Sequence, residues 1–286
     1  MRSNPGHRPL AELVSTRTDD GVLLHGALFE SEPHGVTAVL IVHGGWGNFY
    51  TGLGRFLPAA LVADGIACLS LNNRGHDYGT FADGERCIGL LREQFKDSPK
   101  DIEAGLRLLK QRGYRRLVLV GHSYGASKAA YSQILEPDPD VMGMILCSPA
   151  ALMRDVWKYY LDIPYEEAVR EAQGMVEAGQ GEKFVIFRHR GPAPIICTAQ
   201  TFLSVWGPNP GPDLCKFIGE WNRPLLVTVC QGDRICRDYS RVVYEHAGNA
   251  EPRELALLAG GNHDYHRAEE SLEQVLLTWL GRCGLK

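Results

Sequence analysis

The chain has 286 residues, enough for one large α/β domain or one domain carrying an insertion. Hydrophobic residues make up 44% and charged residues 22%, which excludes a disordered or fibrous chain. The formal net charge of −4 gives no basic face for DNA, RNA or an anionic membrane, so neither nucleic acid nor membrane is expected as a partner.

Met1 to Glu12 is polar, contains Pro5, Gly6 and Pro9, and has no apolar run, so no secretory leader is expected. No apolar stretch approaches the ~18 residues of a membrane span. Of the eight cysteines, Cys68, Cys147 and Cys230 lie inside apolar runs, where free thiols pack as small hydrophobes. Without a C-x-x-C pair, reduced thiols and a cytoplasmic location are the expectation.

Val22 to Phe29 reads as an antiparallel edge strand feeding a hairpin. Val36 to Val42 is continuously apolar, as befits a strand buried on both faces of a parallel sheet, and runs into His43–Gly44–Gly45. Tyr50 to Ala63 has helical spacing and closes at Asp64–Gly65. Ile66 to Leu71 is the next strand and leads into the polar loop Asn72–Asn73–Arg74–Gly75–His76. Ser98 and Pro99 open a helix as N-cap and N1, and Gly113 ends it. Leu117 to Val120 is a third buried strand, Ala126 to Leu135 a helix stopped by Pro137 and Pro139, and Val141 to Leu146 a further strand.

The rhythm breaks between Ala150 and Arg223, where aromatic, charged and proline-rich stretches replace the βα alternation. It resumes with a strand at Leu225 to Cys230, a helix near Tyr239 to His246, a last strand at Leu255 to Leu258 and a last helix at Leu272 to Leu280. This alternation implies a doubly wound, mostly parallel sheet. Residues 1–149 and 224–286 are expected to form the core, and 150–223 an inserted helical lid.

The most informative stretch is Leu117 to Ala126: a buried strand, then Gly121–His122–Ser123–Tyr124–Gly125, then a helix. A strand turning sharply into a helix brings backbones close and strains its central residue, and the two glycines remove the Cβ atoms that would clash. The Ser123 hydroxyl is then exposed above the carboxyl ends of the strands, at a helix N-terminus whose N–H groups favour negative charge. An ordinary glycine-rich turn is the plainer reading of such a motif, but its frame of strand and helix favours a nucleophile.

With His43–Gly44–Gly45 ahead of it, this arrangement resembles the α/β-hydrolase superfamily over roughly residues 20–149 and 224–283. Asn72–Asn73–Arg74–Gly75–His76 and Gly44 to Tyr50 resemble a bacterial group of small esterase-like hydrolases, loosely akin to fusarinine-type siderophore esterases. The resemblance implies Ser123 as nucleophile, with the oxyanion held by the N–H of Tyr124 and that of Gly45, Trp46 being the near alternative for the second donor. His43 is expected to be structural.

The family order of serine, acid, histidine places the base after the last strand. His263, in Gly260–Gly261–Asn262–His263–Asp264, fits; His266 is the alternative, expected within the following helix and facing away. The acid is expected in Gln231–Gly232–Asp233–Arg234–Ile235, where Asp233 would orient the imidazole. Asp233 also suits a helix cap. Asp155, beyond the Val141–Leu146 strand, is the runner-up acid.

His76–Asp77 and His263–Asp264 lack metal-ligand spacing, and no glycine pattern marks a dinucleotide site, so no metal and no cofactor are expected. Arg74 reads as a loop anchor on backbone carbonyls more readily than as a substrate contact. Trp46, Trp157, Tyr160 and Trp206 are the candidate substrate contacts, and the lid aromatics either line an acyl pocket or pack the lid onto the core.

The expected activity is hydrolysis of a carboxylic ester in a small acyl substrate through an acyl-enzyme on Ser123. The same residues would serve a thioesterase, a lactonase or an acyltransferase. A non-catalytic ligand-binding relative is the alternative of another class, against which the complete set Ser123, Asp233 and His263 argues.

Overall fold

The computed structural model describes residues 9–32, 34–81, 83–84, 86–152, 155, 163–187, 194–208 and 211–286. Its centre is an eight-stranded sheet. In chain order the strands are β1 (Glu12–Arg17), β2 (Leu23–Phe29), β3 (Thr37–Val42), β4 (Ala67–Leu71), β7 (Arg116–His122), β8 (Val141–Cys147), β11 (Leu225–Cys230) and β12 (Arg253–Leu258). Their spatial order is β1-β2-β4-β3-β7-β8-β11-β12. The first two strands are antiparallel to their neighbours, and the six from β4 to β12 run parallel.

Val22 to Phe29 therefore pairs on both sides, and the edge belongs to β1, which the sequence reading passed over. Its exposed Leu13 and alternation with Glu12 and Ser15 give β1 no apolar run to announce it. The parallel strands are buried on both faces for a simple reason. Ala38, Leu40 and Val42 of β3 join one core cluster, while Val39 and Ile41 join the other. Likewise Leu117 and Leu119 of β7 face one way, and Val118 and Val120 the other.

Helices α1 (Leu57–Ala63) and α7 (Glu269–Arg282) cover one face. Helices α2 (Ser98–Gln111), α3 (Tyr124–Leu135) and α6 (Cys236–His246) cover the other. The expected helix from Tyr50 is in fact a 3-10 turn at Gly52–Arg55 and then α1, separated at Phe56. In α2, Ser98 is already helical and Asp97 stands at the N-cap position.

Between β8 and β11 the chain builds α4 (Tyr165–Glu177), a hairpin of β9 (Phe184–Phe187) and β10 (Ile195–Thr198), and α5 (Ala199–Trp206). The insertion is thus not purely helical. Its own cluster, with Ala168, Val185, Ile195, Phe202 and Val205, packs on Leu90, Phe95 and Tyr124 of the core. A second small hairpin joins β5 (Thr80–Phe81) to β6 (Cys87–Ile88). No helix among the described residues is long and apolar enough to cross a membrane.

Arg74 holds the turn after β4 by ion pairs rather than through the expected carbonyls. Its Nε donates to the buried Asp101 at 2.9 Å, and its two terminal nitrogens fork onto Asp20 at 2.9 and 3.0 Å. Asp101 accepts a further bond from the Arg74 N–H. Removing the cation leaves Asp101 buried without its counter-charge. Arg74→Met should therefore cost about 3–5 kcal/mol in urea unfolding, with most of the loss recovered in Arg74→Met/Asp101→Leu. A loss below about 1 kcal/mol would show that the pair is replaceable by water.

Candidate active site

The β3–β4 and β7–β8 connections run over opposite faces of the sheet, so the loops after β3 and β7 part company between these two adjacent strands. Such a divergence opens a crevice at the carboxyl ends of the strands. Ser123 stands there at φ 54°, ψ −122°, between β7 and α3. A left-handed φ on a serine costs free energy and persists only where the surroundings enforce it.

The enforcing contacts are visible at the two flanking glycines. A Cβ on Gly125 would lie 2.2 Å from the Val42 carbonyl oxygen and 2.4 Å from that of His43. One on Gly121 would lie 2.6 Å from Cα of Ala126. The first turn of α3 thus sits directly on the end of β3. Ser123 N–H donates to the Cys147 carbonyl at 2.9 Å, tying the turn to β8 as well.

The residues singled out in sequence meet at this turn. Ser123 Oγ lies 2.9 Å from Nε2 of His263, in the loop after β12. His263 Nδ1 lies 2.8 Å from Oδ2 of Asp233, in the loop after β11. The other oxygen of Asp233, Oδ1, accepts the Cys236 N–H at 3.1 Å at the start of α6, where Ile235 rather than Asp233 occupies the N-cap position. Asp155 is exposed, and the carboxylate on His263 Nδ1 is that of Asp233. His266 is not helical; it lies in the exposed loop ahead of α7.

These partners assign the tautomer. Nδ1 carries a proton to the carboxylate, and Nε2 faces the serine hydroxyl. Burial works against a charged imidazole, but the hydrogen bonds from His263 to Asp233 and to the Cys236 side chain outweigh it and raise the imidazole above its ordinary value. Asp233 is buried, which favours its neutral form. The contact with His263 prevails, helped by the Cys236 N–H and the Ser148 hydroxyl, and keeps the carboxyl below the usual range.

Gly45 and Tyr124 line the same cavity as Ser123, and neither N–H donates to another protein group among the described residues. Trp46 follows at φ 58°, partly exposed. His43 is structural, as expected. Its Nε2 accepts the Asn73 N–H at 2.9 Å and its Nδ1 donates to the Gly44 carbonyl, while burial and the nearby Lys128 push the imidazole down to about 3. The two polar motifs brace each other, with Phe49 N–H on Asn72 Oδ1 at 2.8 Å and Asn48 Nδ2 on Asp77 Oδ1 at 2.9 Å.

Three supporting groups went unseen in the sequence. His122 Nε2 donates to the His263 carbonyl at 2.9 Å, and burial together with the neighbouring His263 lowers its imidazole to about 4. Tyr265, fully buried, donates to the Thr228 carbonyl at 3.0 Å and lies 3.2 Å from the Ser148 hydroxyl. Below Tyr124, the buried Lys128 pairs with the buried Glu93 and stands 4.5 Å from the Tyr124 ring centre. No local motif announces such partners, which come from distant strands and loops.

Trp206 is largely buried and stacks on Trp46 with ring centres 5.8 Å apart. Phe187 and Phe202 pack against each other at 5.0 Å inside the insertion. Trp157 and Tyr160 lie outside the described residues.

The sequence from residue 39 to 275 matches the model of a family described as the alpha/beta hydrolase family. The chain belongs to that family. No curated protein is matched by the sequence. Among solved structures, this α/β-hydrolase is similar to an esterase of Pyrococcus furiosus, at 16% identity and a TM-score of 0.66, over 99% of this chain and 96% of the other. It is also similar to Est1E of Butyrivibrio proteoclasticus, solved with ferulic acid bound, at 15% identity and a TM-score of 0.71, over 96% of this chain and 100% of that one. An α/β-hydrolase from a Penicillium species, GrgF, aligns at 15% identity with a TM-score of 0.71, over 96% of this chain and 98% of its own. At such identities the likeness is one of fold.

The Gly125 contact generates a direct test. Gly125→Ala should destabilise the protein by about 3 kcal/mol or more, since the Val42 carbonyl belongs to β3 and that of His43 follows directly on it, so neither can retreat without disturbing the strand end. Chemical denaturation measures this; a loss under about 1 kcal/mol would mean that the turn relaxes freely.

Proposed function

We propose that this hydrolase cleaves carboxylic esters through an acyl-enzyme on Ser123, with His263 as general base and Asp233 as its orienting acid. The observation that carries the reading is the unbroken hydrogen-bond chain from Ser123 Oγ through His263 to Asp233, at 2.9 and 2.8 Å. In the first step Oγ attacks the ester carbonyl and its proton passes to His263 Nε2. The charge on the carbonyl oxygen falls to the N–H groups of Tyr124 and Gly45, donors of a kind each worth about 2.7–4 kcal/mol in rate. The alcohol departs with the proton from Nε2, and water then repeats the sequence to release the acid.

Two cavities meet at Ser123, His263, Gly45 and Trp46. One, of about 390 Å³, has apolar walls that include Leu90, Leu152, Ile195, Val205, Trp206 and Ile235. The other, of about 380 Å³, is of mixed lining, with Thr51, Arg55, His122 and His266 beside Ile41 and Leu53. This difference supports an apolar acyl arm of moderate size in the first and a polar leaving alcohol in the second, with the insertion acting as a lid that sets acyl preference.

Ser123→Ala should abolish labelling by a fluorophosphonate and lower ester turnover at least about 10³-fold without changing the fold. Asp233→Asn should lower kcat by about 10⁴-fold, the order known for other triads, whereas Asp155→Asn should be mild; the reverse ranking overturns the assignment. Only the neutral imidazole accepts the serine proton, and the native imidazole titrates above 6.5. Activity should therefore rise with pH through an apparent pKa above 6.5, and the residual activity of Asp233→Asn should rise at lower pH. A series of p-nitrophenyl esters tests the acyl arm: Trp206→Ala should shift preference toward longer chains, and an unchanged profile would make Trp206 a packing residue.

A further inference from the structure

We propose that Asp233, Cys236 and His263 also form a binding site for a soft divalent cation of the zinc type, and that filling it switches hydrolysis off. The metal site stands on its own geometry; the switching rests on the hydrolase reading above. Cys236 is a buried thiol for which the proposed chemistry has no use, yet it sits beside the base.

One ligand atom from each of the three side chains, a carboxylate oxygen, a thiol sulfur and an imidazole nitrogen, lies within 4.8 Å of the other two. In a tetrahedral zinc site, metal–nitrogen and metal–oxygen bonds of about 2.0–2.2 Å and a metal–sulfur bond of about 2.3 Å put ligand atoms about 3.3–3.7 Å apart. His263 Nδ1 and Asp233 Oδ2, now 2.8 Å apart, would separate by about half an ångström, and the sulfur would close in by at most about 1.5 Å.

The backbone favours the arrangement. Oδ1 of Asp233 is held by the Cys236 N–H, which leaves Oδ2 to face the imidazole. All three residues line the apolar cavity of about 390 Å³, so an ion has an entry path and water from the cavity can supply a fourth ligand. Mixed sulfur, nitrogen and oxygen donors select zinc-like ions over magnesium and calcium, which prefer oxygen alone.

Inhibition follows from proton bookkeeping. The thiol loses its proton to solvent and binds as thiolate. A neutral His263 keeps one proton, but with Nδ1 on the metal that proton must sit on Nε2. Nε2 then donates toward Ser123 instead of accepting, and the serine has no base. Asp233 is at the same time drawn from imidazole to metal.

The test uses the untagged, full-length Ser123→Ala variant, which keeps all three ligands and needs no turnover. Titration with Co²⁺ should show one ion per chain and a near-ultraviolet thiolate-to-cobalt absorption band. Adding Cys236→Ser should remove the band and weaken Zn²⁺ affinity about tenfold or more. In the wild type, Zn²⁺ should inhibit ester hydrolysis, EDTA should restore it, and Mg²⁺ should have no effect. In Cys236→Ser, the inhibition constant, taken against that variant's own uninhibited rate, should rise about tenfold or more.

Cobalt binding without the thiolate band, or equal zinc affinity with and without the thiol, overturns the site. A band in a protein with no esterase activity would sink the hydrolase reading and leave the metal site standing. Esterase activity untouched by zinc in a protein that shows the band would overturn the switch.

Discussion

The geometry of this molecule hangs on one close contact, that of Gly125 with the carbonyl oxygens of Val42 and His43. No side chain fits between them. The contact pulls the first turn of α3 onto the end of β3, and the chain leaving β7 must then reverse within two residues. Ser123 absorbs the reversal with its left-handed φ, and its hydroxyl stands clear of both strand and helix. The loop from Gly44 to Trp46 begins where β3 ends, so Gly45 and Tyr124 line one cavity with Ser123.

The histidine is held differently, by polar anchors on an irregular loop. The loop after β12 has left-handed Gly260 and Gly261, and Tyr265 and Arg267 also have positive φ. Such a loop needs ties to distant elements. The Tyr265 hydroxyl reaches β11 at Thr228, and His122, next to the serine, takes the carbonyl of His263 itself. One residue of the Gly121–Gly125 turn therefore holds the backbone of His263. The Tyr265 bond is buried, so losing either of its partners leaves an unsatisfied group at a cost of about 1–3 kcal/mol, and the His122 bond is partly so. The buried Lys128–Glu93 pair beneath Tyr124 adds a further rigid layer under the proposed oxyanion donor.

The insertion supplies shape rather than chemistry. Its Phe187 and Phe202 form a small core of their own, which allows Trp206 to reach out and stack on Trp46. Trp46 lines both cavities at Ser123, whereas Trp206 lines only the apolar one. The position of Trp206 relative to Ser123 is set by the packing of the insertion on Leu90, Phe95 and Tyr124.

The parallel core was legible in the chain because its strands are buried on both faces and so read as unbroken apolar runs; Leu225 to Cys230 is read in sequence and found in structure with the same limits. The Gly121–His122–Ser123–Tyr124–Gly125 turn was legible for a steric reason, since glycine is obligatory where backbones touch. Position after successive strands was enough to single out Asp233 and His263. Exposed or broken elements were not legible: β1 has no apolar run, the helix from Tyr50 divides at Phe56, and the insertion contains a hairpin. Nor could the sequence show that Arg74 pairs with Asp101 and Asp20, that His122 and Tyr265 secure the loop of His263, or that Cys236 lies against His263. Residue type and local spacing determined which groups are able to do chemistry. Which of them meet, and at what distance, was decided only when strands far apart in the chain were brought side by side, because hydrogen bonds, ion pairs and metal ligation depend on separations of a few ångströms that no linear spacing encodes.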